Sequence, residues 1–484
     1  MLLLSYMIAC GAAPSAAGSE AADDTTRVDD PGHGELSATL PVDPPEPRPD
    51  GVVIIGAGAA GLAAAIDLPG AIVFEASSAV GGRAAYGTPH LLLVGTEEQA
   101  AEGVEDSVEL ALADWPAMTG EAPCDASRTF VEASDKVRDR LTELGVAFTL
   151  EEADLILGRQ RLHYASEAGL GLVDALDAGS SEGIDLRLST PVTGLLLDER
   201  GVVGVETADG TIEAGTVIIA TGGFANRVDL VRSSVTWAAG TWGIGSDAFA
   251  NGQALDWAVA YGLSTARLDA VGSNANVIGI AGADGLAIPT ARPDAWVWVD
   301  STGERFVNEE ASWSLMLATA GDMHAPTWAL STHDLLMSGV EAEHQPFVEA
   351  GLTCESDWAT LAEHIGVDPD GIEATLAAID DVAAGRTIDA FGRTMLPDLR
   401  GATPCAFPWG RLASKSFGGL AVEATGEVTD GDGRVVPGLY AIGEAAGMAQ
   451  PGMGGLDGFD GSLSAVIWSG WRTAEAINAA VAED

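Results

Sequence analysis

From Gly51 onward the chain carries short, unbroken apolar runs separated by longer mixed stretches, the pattern of strands buried on both faces between helices. Val52-Val53-Ile54-Ile55 is β-branched with no polar break, which predicts a central parallel strand. Gly56-Ala57-Gly58-Ala59-Ala60-Gly61 follows, and Leu62 to Leu68 continues as an alanine-rich helix. Ala71-Ile72-Val73-Phe74 is a second strand, closed by Glu75 and Ala76. The same pattern returns at Val217-Ile218-Ile219-Ala220, which ends in Thr221-Gly222-Gly223. Ahead of it, residues 190–197 and 201–206 predict two strands of a meander, and a turn at Asp209-Gly210 leads to a third. Between Asp357 and Ala384, apolar residues recur at helical spacing at Leu361, Ile365, Ile372, Leu376 and Ile379, so this stretch is expected to be helical.

The length of 484 residues suggests two to four folding units, and a hydrophobic content of 47% argues against global disorder. A formal charge of −49 repels phosphate backbones and anionic lipid headgroups, so nucleic-acid binding and electrostatic membrane docking are excluded as functions. Only two of the basic residues are lysines, Lys136 and Lys415. Met1 to Ile8 is a short apolar run followed by Ala9-Cys10-Gly11, which resembles the cleavage box of bacterial lipoproteins. That resemblance implies a signal over 1–10, a lipid anchor at Cys10 and an extracytoplasmic, membrane-anchored protein. The run lacks the positive charge with which a secretory signal begins, which keeps a cytoplasmic location as the alternative. Residues 11–50, rich in Pro, Ala, Asp and Glu, cannot bury apolar surface and predict a disordered tether. Cys124, Cys354 and Cys405 allow one disulfide but show no metal-ligand spacing, and the histidines form no cluster, so no metal is expected.

Strand, glycine turn, helix, strand and acid occur in the order that dinucleotide binding needs. Gly56 permits the tight turn, Gly58 lets the backbone approach a pyrophosphate, and Gly61 lets helix and strand pack closely. The helix N-terminus offers amide donors and partial positive charge to the phosphates, and Glu75 can accept from a ribose. Gly81-Gly82-Arg83 after the acid, and the Ala220-Thr221-Gly222-Gly223 turn, resemble the flavoproteins with two dinucleotide-binding motifs. Gly418-Gly419-Leu420, Gly438 to Glu444, Gly461-Ser462-Leu463 through Gly470, Glu105-Asp106-Ser107, Asn251 to Leu255 and Asp300 to Glu309 then follow the order of one family. The chain thereby resembles the fumarate reductase/succinate dehydrogenase flavoprotein superfamily, which includes 3-ketosteroid dehydrogenases. The resemblance implies an α/β fold: a discontinuous Rossmann-like FAD-binding domain at 51–235 and 356–484, the latter led by the helical return segment. An inserted α+β cap would span 236–355. It also implies FAD as cofactor, with Val192 touching adenine through its backbone, Gly443 and Glu444 near the ribityl chain, and the Ser462 and Leu463 amides facing the flavin pyrimidine.

Members of that family move hydride between flavin N5 and a carbon of a CH–CH or activated C=C bond. Against the H-H-T-M-G-G segment of fumarate reductases this chain has Ser414-Lys415-Ser416-Phe417-Gly418-Gly419. Asp457 falls where they place a substrate-clamping arginine, and Trp313 where another follows the R-F-V-N-E segment. An anion in place of a cation repels a carboxylate, so a dicarboxylate substrate is not expected. Gln450-Pro451-Gly452-Met453-Gly454 keeps the glycine frame of the ketosteroid dehydrogenases without its tyrosine. Eight of the twelve tryptophans fall between Trp237 and Trp358, which suits either ordinary packing or an aromatic substrate cavity. Lys415 is a candidate donor to a substrate oxyanion, Glu309 a candidate proton relay, and His333 a candidate proton donor, while Arg305 is expected to fix strand-turn geometry. The expectation is an FAD-dependent oxidoreductase for an apolar small molecule, with a separate electron donor or acceptor because no haem C-x-x-C-H is present. The alternative is an FAD-bearing electron-transfer or binding protein that has lost the C=C chemistry.

Overall fold

The computed structural model describes residues 49–483 apart from 88, 120–121, 124, 152–158, 166–167, 181–182, 236–241, 245–249, 278–294, 310–326, 339–344, 346–348, 350 and 448–461. Cys10, the tether as far as 48, Cys124, Trp313, the Gln450–Gly454 run and Asp457 therefore lie outside the described residues. A six-stranded sheet forms the centre, in the order Glu427–Thr429, Val435–Ala441, Thr216–Ile219, Val52–Ile55, Ile72–Phe74 and Asp185–Arg187. Every neighbouring pair is parallel except the first, which is antiparallel.

Both faces of the inner strands are covered, which is why Val52–Ile55 and Ile72–Phe74 show no polar break. Ile54, Val73 and Ile218 pack toward the first helix, Ala59–Ile66, and the last, Leu463–Glu483. Val53, Ile55, Val217 and Ile219 pack on the other side against the antiparallel meander Val192–Asp198, Gly201–Thr207 and Gly210–Glu213. Each such fully buried branched side chain contributes about 1.5–3 kcal/mol relative to exposure. The first and last helices are small-residue surfaces because they cross closely: a Cβ on Gly470 would stand 2.4 Å from the Ala60 carbonyl oxygen.

A second sheet, ordered Trp242–Ile244, Pro404–Ser416, Thr327–Thr332 and Val297–Val299, lies between these parts in sequence. Val271–Val277 and Thr353–Cys354 also pair with its long strand, Pro404–Ser416. The inserted layer thus draws on residues beyond the expected boundary at 355. Cys354 and Cys405 form a disulfide across adjacent strands. The stretch from Asp357 to Ala384 is helical as expected, in two helices, Trp358–Ile365 and Pro369–Ala383. Gly366, with φ of 71°, ends the first, and Asp368 caps the second with Pro369 at its first position. Leu361, Ile372, Leu376 and Ile379 are buried as their spacing predicts, against Val297, Val299 and Leu330 of the second sheet. Three tryptophans of this region pack in the core: Trp257 sits in the meander-side core, and Trp328 and Trp358 flank the cluster under the second sheet. Trp296 and Trp298 are fully buried.

Candidate functional site

At the carboxyl ends of the parallel strands, the chain builds a cradle from backbone with few side chains. Gly56, with φ of 108°, places its own hypothetical Cβ 2.4 Å from the Ala220 carbonyl oxygen, so the turn needs glycine for conformation and for space. A Cβ on Gly61 would meet the Gly56 oxygen at 1.9 Å, so the first helix sits directly on the turn. Glu75 is buried and locks this arrangement: its Oε2 accepts from Ala57 N–H at 2.8 Å and its Oε1 from Ser77 N–H at 2.8 Å. Gly81 N–H donates to the Ala57 oxygen at 2.8 Å, which draws the Gly81-Gly82-Arg83 turn alongside. Ala59 and Ala60 begin the helix behind it, and Ala76 is exposed beside Glu75.

Two observations test whether these residues fit FAD. Gly58 has φ of −75° and ψ of −179°, an ordinary extended conformation, and a Cβ there would meet nothing closer than the Gly81 oxygen at 3.9 Å. The polypeptide itself does not require glycine at 58, whereas a pyrophosphate approaching the helix N-terminus does. Thr221 Oγ1, in the turn after the strand Thr216–Ile219, is buried with no hydrogen-bond partner among the described residues. A hydroxyl so placed needs a ligand oxygen to complete it. Both fit FAD.

The rest of the cradle closes around Gly223. A Cβ on Gly223 would stand 2.0 Å from Ser416 Oγ and 2.4 Å from Glu444 Oε2. Ser416 Oγ accepts from Phe224 N–H at 3.1 Å, and Glu444 Oε2 accepts from Ser416 N–H at 3.4 Å. Gly443, with φ of 59°, faces Ala60. Gly222 also has positive φ, at 76°. Gln253 Nε2 donates to the Val192 carbonyl at 2.8 Å, and Gly252 N–H donates to the Gly223 carbonyl at 2.9 Å. Ser462 bridges Leu91 through its main chain just ahead of the last helix, which Leu463 begins. Ser416, Gln253 and Ser464 were not singled out by sequence reasoning. Strand alternation from Lys415 would have flagged Ser416, and the Asn251–Leu255 segment contained Gln253.

The structure separates the candidates for substrate chemistry. Thr332 pairs with Pro404 at one end of the long strand, so His333 lies about eleven residues from the level of Lys415, or roughly 35 Å along the strand. His333 is half-exposed and its neighbours are Asp334 and Glu349. Glu309 is held nearer the His333 end, where its Oε1 accepts from Trp298 N–H at 2.9 Å and Ala329, beside Trp298, pairs with Phe407. Arg305 grips both Glu309 oxygens, at 3.0 and 2.6 Å, and Arg393 Nη1 lies 3.0 Å from Oε2. Arg305 also donates to Asp389 at 2.5 Å. Burial acts to raise the Asp389 carboxyl, but Arg305 and the Arg393 and Phe391 N–H groups hold it below its ordinary value. Arg305 therefore fixes geometry as expected, through two carboxylates. Lys415 alone of the three adjoins the cradle, next to Ser416. Its Nζ lies 5.7 Å from the ring of Phe417, the residue after the strand.

A second buried polar network stands behind the strand His90–Leu92. Arg161, wholly buried, forks onto Asp106 at 2.8 and 2.7 Å and reaches Asp114 at 2.9 Å. His163 Nε2 lies 2.7 Å from Thr96 Oγ1 and its Nδ1 3.0 Å from the Arg161 carbonyl. Burial pushes the His163 imidazole below its ordinary value.

Known proteins share this arrangement. A family model described as FAD binding domain matches residues 51–459. A probable fumarate reductase of Shewanella frigidimarina is 25% identical over 426 residues, spanning 82% of this chain and 70% of that protein. A KsdD-like steroid dehydrogenase of Mycolicibacterium smegmatis is 24% identical over 526 aligned residues, spanning 85% of this chain and 95% of its own. In fold, the chain is similar to the 3-ketosteroid delta1-dehydrogenase of Sterolibacterium denitrificans, with a TM-score of 0.72 at 15% identity, covering 89% and 99% of the two chains.

Proposed function

The chain belongs to the FAD binding domain family, an FAD-dependent oxidoreductase by its relatives, and on that premise we propose that it acts on a CH–CH or activated C=C bond of an apolar, non-dicarboxylate small molecule. Bound in the cradle, FAD supplies a hydride donor or acceptor. The chain's own residues would do the rest. Gly56, Gly58, Gly61 and the N-terminus of the first helix hold the pyrophosphate. Glu75 and Thr221 complete hydroxyl and phosphate contacts, with Gly81, Gly82 and Arg83 alongside. Val192, Ala220, Gly222 and Gly223 border the adenine half, and Gly443, Glu444, Ser462 and Leu463 the flavin half.

The observation that carries the substrate reading is the cation Lys415, next to Ser416 of the cradle, with its Nζ 5.7 Å from the Phe417 ring. A dicarboxylate needs cationic donors at both ends, but a carbonyl conjugated to a C=C bond needs one. Lys415 would hold that oxygen while charge develops on it. Trp313 and Asp457, at positions where fumarate reductases carry arginine, support the same reading, and Lys415 stands where they carry a substrate-facing histidine. Among the described residues, at least thirteen arginines meanwhile have carboxylate partners within the protein. Electrons would come from or go to a separate molecule. The Cys354–Cys405 disulfide supports an oxidising, extracytoplasmic compartment, with Cys10 as the lipid attachment point.

The test is anaerobic reduction of the holoprotein, then addition of fumarate, acrylate, cyclic enones and ketosteroids while flavin absorbance is followed. Cyclic enones or ketosteroids should reoxidise the flavin faster than fumarate, and Lys415→Met should lower that rate about 10²-fold. Faster reoxidation by fumarate would refute the substrate reading. No reoxidation by any compound would favour the electron-carrier alternative.

A further inference from the structure

The strand His90–Leu92 joins the start of the last helix to the buried network around Arg161. On one side Leu91 bridges Ser462, and Ser464 Oγ donates to the Leu92 carbonyl at 2.9 Å, so the start of the last helix rests on this strand. On the other side Leu91 pairs with His163 and Leu92 with Leu162, and Leu93 N–H donates to the Arg161 carbonyl at 3.1 Å. That carbonyl also lies 3.0 Å from His163 Nδ1, and the Arg161 side chain is gripped by Asp106. Gln99 Nε2 donates both to Asp106, at 2.9 Å, and to the Gln160 carbonyl, at 2.7 Å.

We propose that the buried Asp106–Arg161 pair is a positioning device for the flavin: it fixes the strand His90–Leu92 and, through it, the Ser462 and Leu463 amides at the start of the last helix. This rests on the flavin's pyrimidine lying at that helix start. The physical reason is the cost of the arrangement. Two charges fully removed from water gain little stability over apolar residues of the same volume, but they admit one geometry where an apolar contact admits several. The helix start carries about half a positive charge, and its effect on a cofactor falls off within one turn. A shift of the supporting strand therefore changes how well the negative charge taken up on reduction is stabilised. Arg161 and Asp106 contact each other and neighbouring protein groups, and would act through the strand.

The experiment measures the flavin midpoint potential of the holoprotein by dye-coupled anaerobic titration, with visible spectra and thermal melts alongside. The apolar pair D106L/R161M should fold and bind FAD, and should favour oxidised over reduced flavin about tenfold more than the parent, a drop of about 30 mV for a two-electron couple. R161K, which keeps the charge but not the fork, should fall between. S464A, which cuts the link between strand and helix, should shift the potential in the same direction. An unchanged potential in D106L/R161M beside a shifted S464A overturns the proposal, since the network would then be merely structural. An unchanged potential in both would mean that the flavin does not lie at the helix start, so the placement itself fails. If D106L/R161M does not fold, folded and FAD-loaded R161K, which loses the fork onto Asp106, is read in its place, and an unchanged potential there beside a shifted S464A also overturns the proposal.

Discussion

Glycines 58 and 61 lie three residues apart in one motif, yet the structure assigns them opposite duties, and alanine separates the two. At 61 the new Cβ would stand 1.9 Å from the Gly56 oxygen and 3.1 Å from its carbonyl carbon. Ordinary contact needs more than an ångström of extra room between helix and turn, in backbone that cannot swing aside. Overpacking of that kind costs about 1–3 kcal/mol or more. At 58 the nearest atom is 3.9 Å away and the backbone is unstrained. Loss of unfolded-chain freedom favours G58A by about 0.4–1 kcal/mol, and alanine is a poorer helix N-cap by about as much, so the two nearly cancel. G58A should therefore melt within a few degrees of the parent without cofactor, yet bind FAD at least tenfold more weakly, about 1.4 kcal/mol. G61A should lower the melting temperature of the apoprotein outright. Thermal melts of the apoproteins, followed by FAD titration through quenching of flavin fluorescence, read both numbers. If G58A binds FAD within twofold of the parent, the pyrophosphate does not approach at this turn. If G61A melts where the parent does, the close packing is not what glycine is there for.

His163 makes stability pH-dependent in a window separate from the carboxylates. Its ordinary pKa is 6.5 and burial lowers it, so the fold favours the neutral ring. That contribution is complete above about pH 6.5 and is lost as pH falls through the lowered value. Melting temperature should decline between pH 6.5 and 5, and H163N should flatten the decline; an unaltered slope would remove His163 as its source. The disulfide closes a separation of 51 residues, for which loop entropy gives about 4 kcal/mol and measured bridges typically about 2–4. C354S/C405S should lose stability of that order in urea titrations, and a loss under about 0.5 kcal/mol would mean that the bridge contributes little. The charge of −49 should make low salt destabilising, because the Debye length shrinks from about 10 Å at 0.1 M to about 3 Å at 1 M. The melting temperature should rise with potassium chloride over that range, and a fall would show that the attractive surface pairs outweigh the repulsion.

The parallel strands at 52–55, 72–74 and 217–219 were legible because a strand segment covered on both faces disfavours polar residues. The glycine turn was legible because its steric demands are local. The break at Gly366–Pro369 was also written in the chain, as a glycine stop followed by an Asp-Pro start, but the helical periodicity runs through it in phase. Lys415, Glu309 and His333 could be nominated one at a time. Their spread along the strand Pro404–Ser416 depends on a pairing of distant segments that periodicity cannot register. Gln253, Ser416 and Ser464 escaped for the same reason, since each acts on a partner tens to hundreds of residues away. Asp106 and Arg161 lie 55 positions apart, and only the fold makes them one pair.

The contact of Ser464 with Leu92 spans 372 residues of sequence. At a synthesis rate of about 5–20 residues per second, roughly 20–70 s separate the appearance of the two partners on the ribosome. Throughout that interval the first helix, Ala59–Ile66, lacks the surface that covers it, and the flavin half of the cradle does not exist. Cofactor loading is therefore a late event in the life of each molecule, after the last helix has emerged. Truncation anywhere before that helix would leave a chain able to form its first turn but unable to retain what the turn is built to hold.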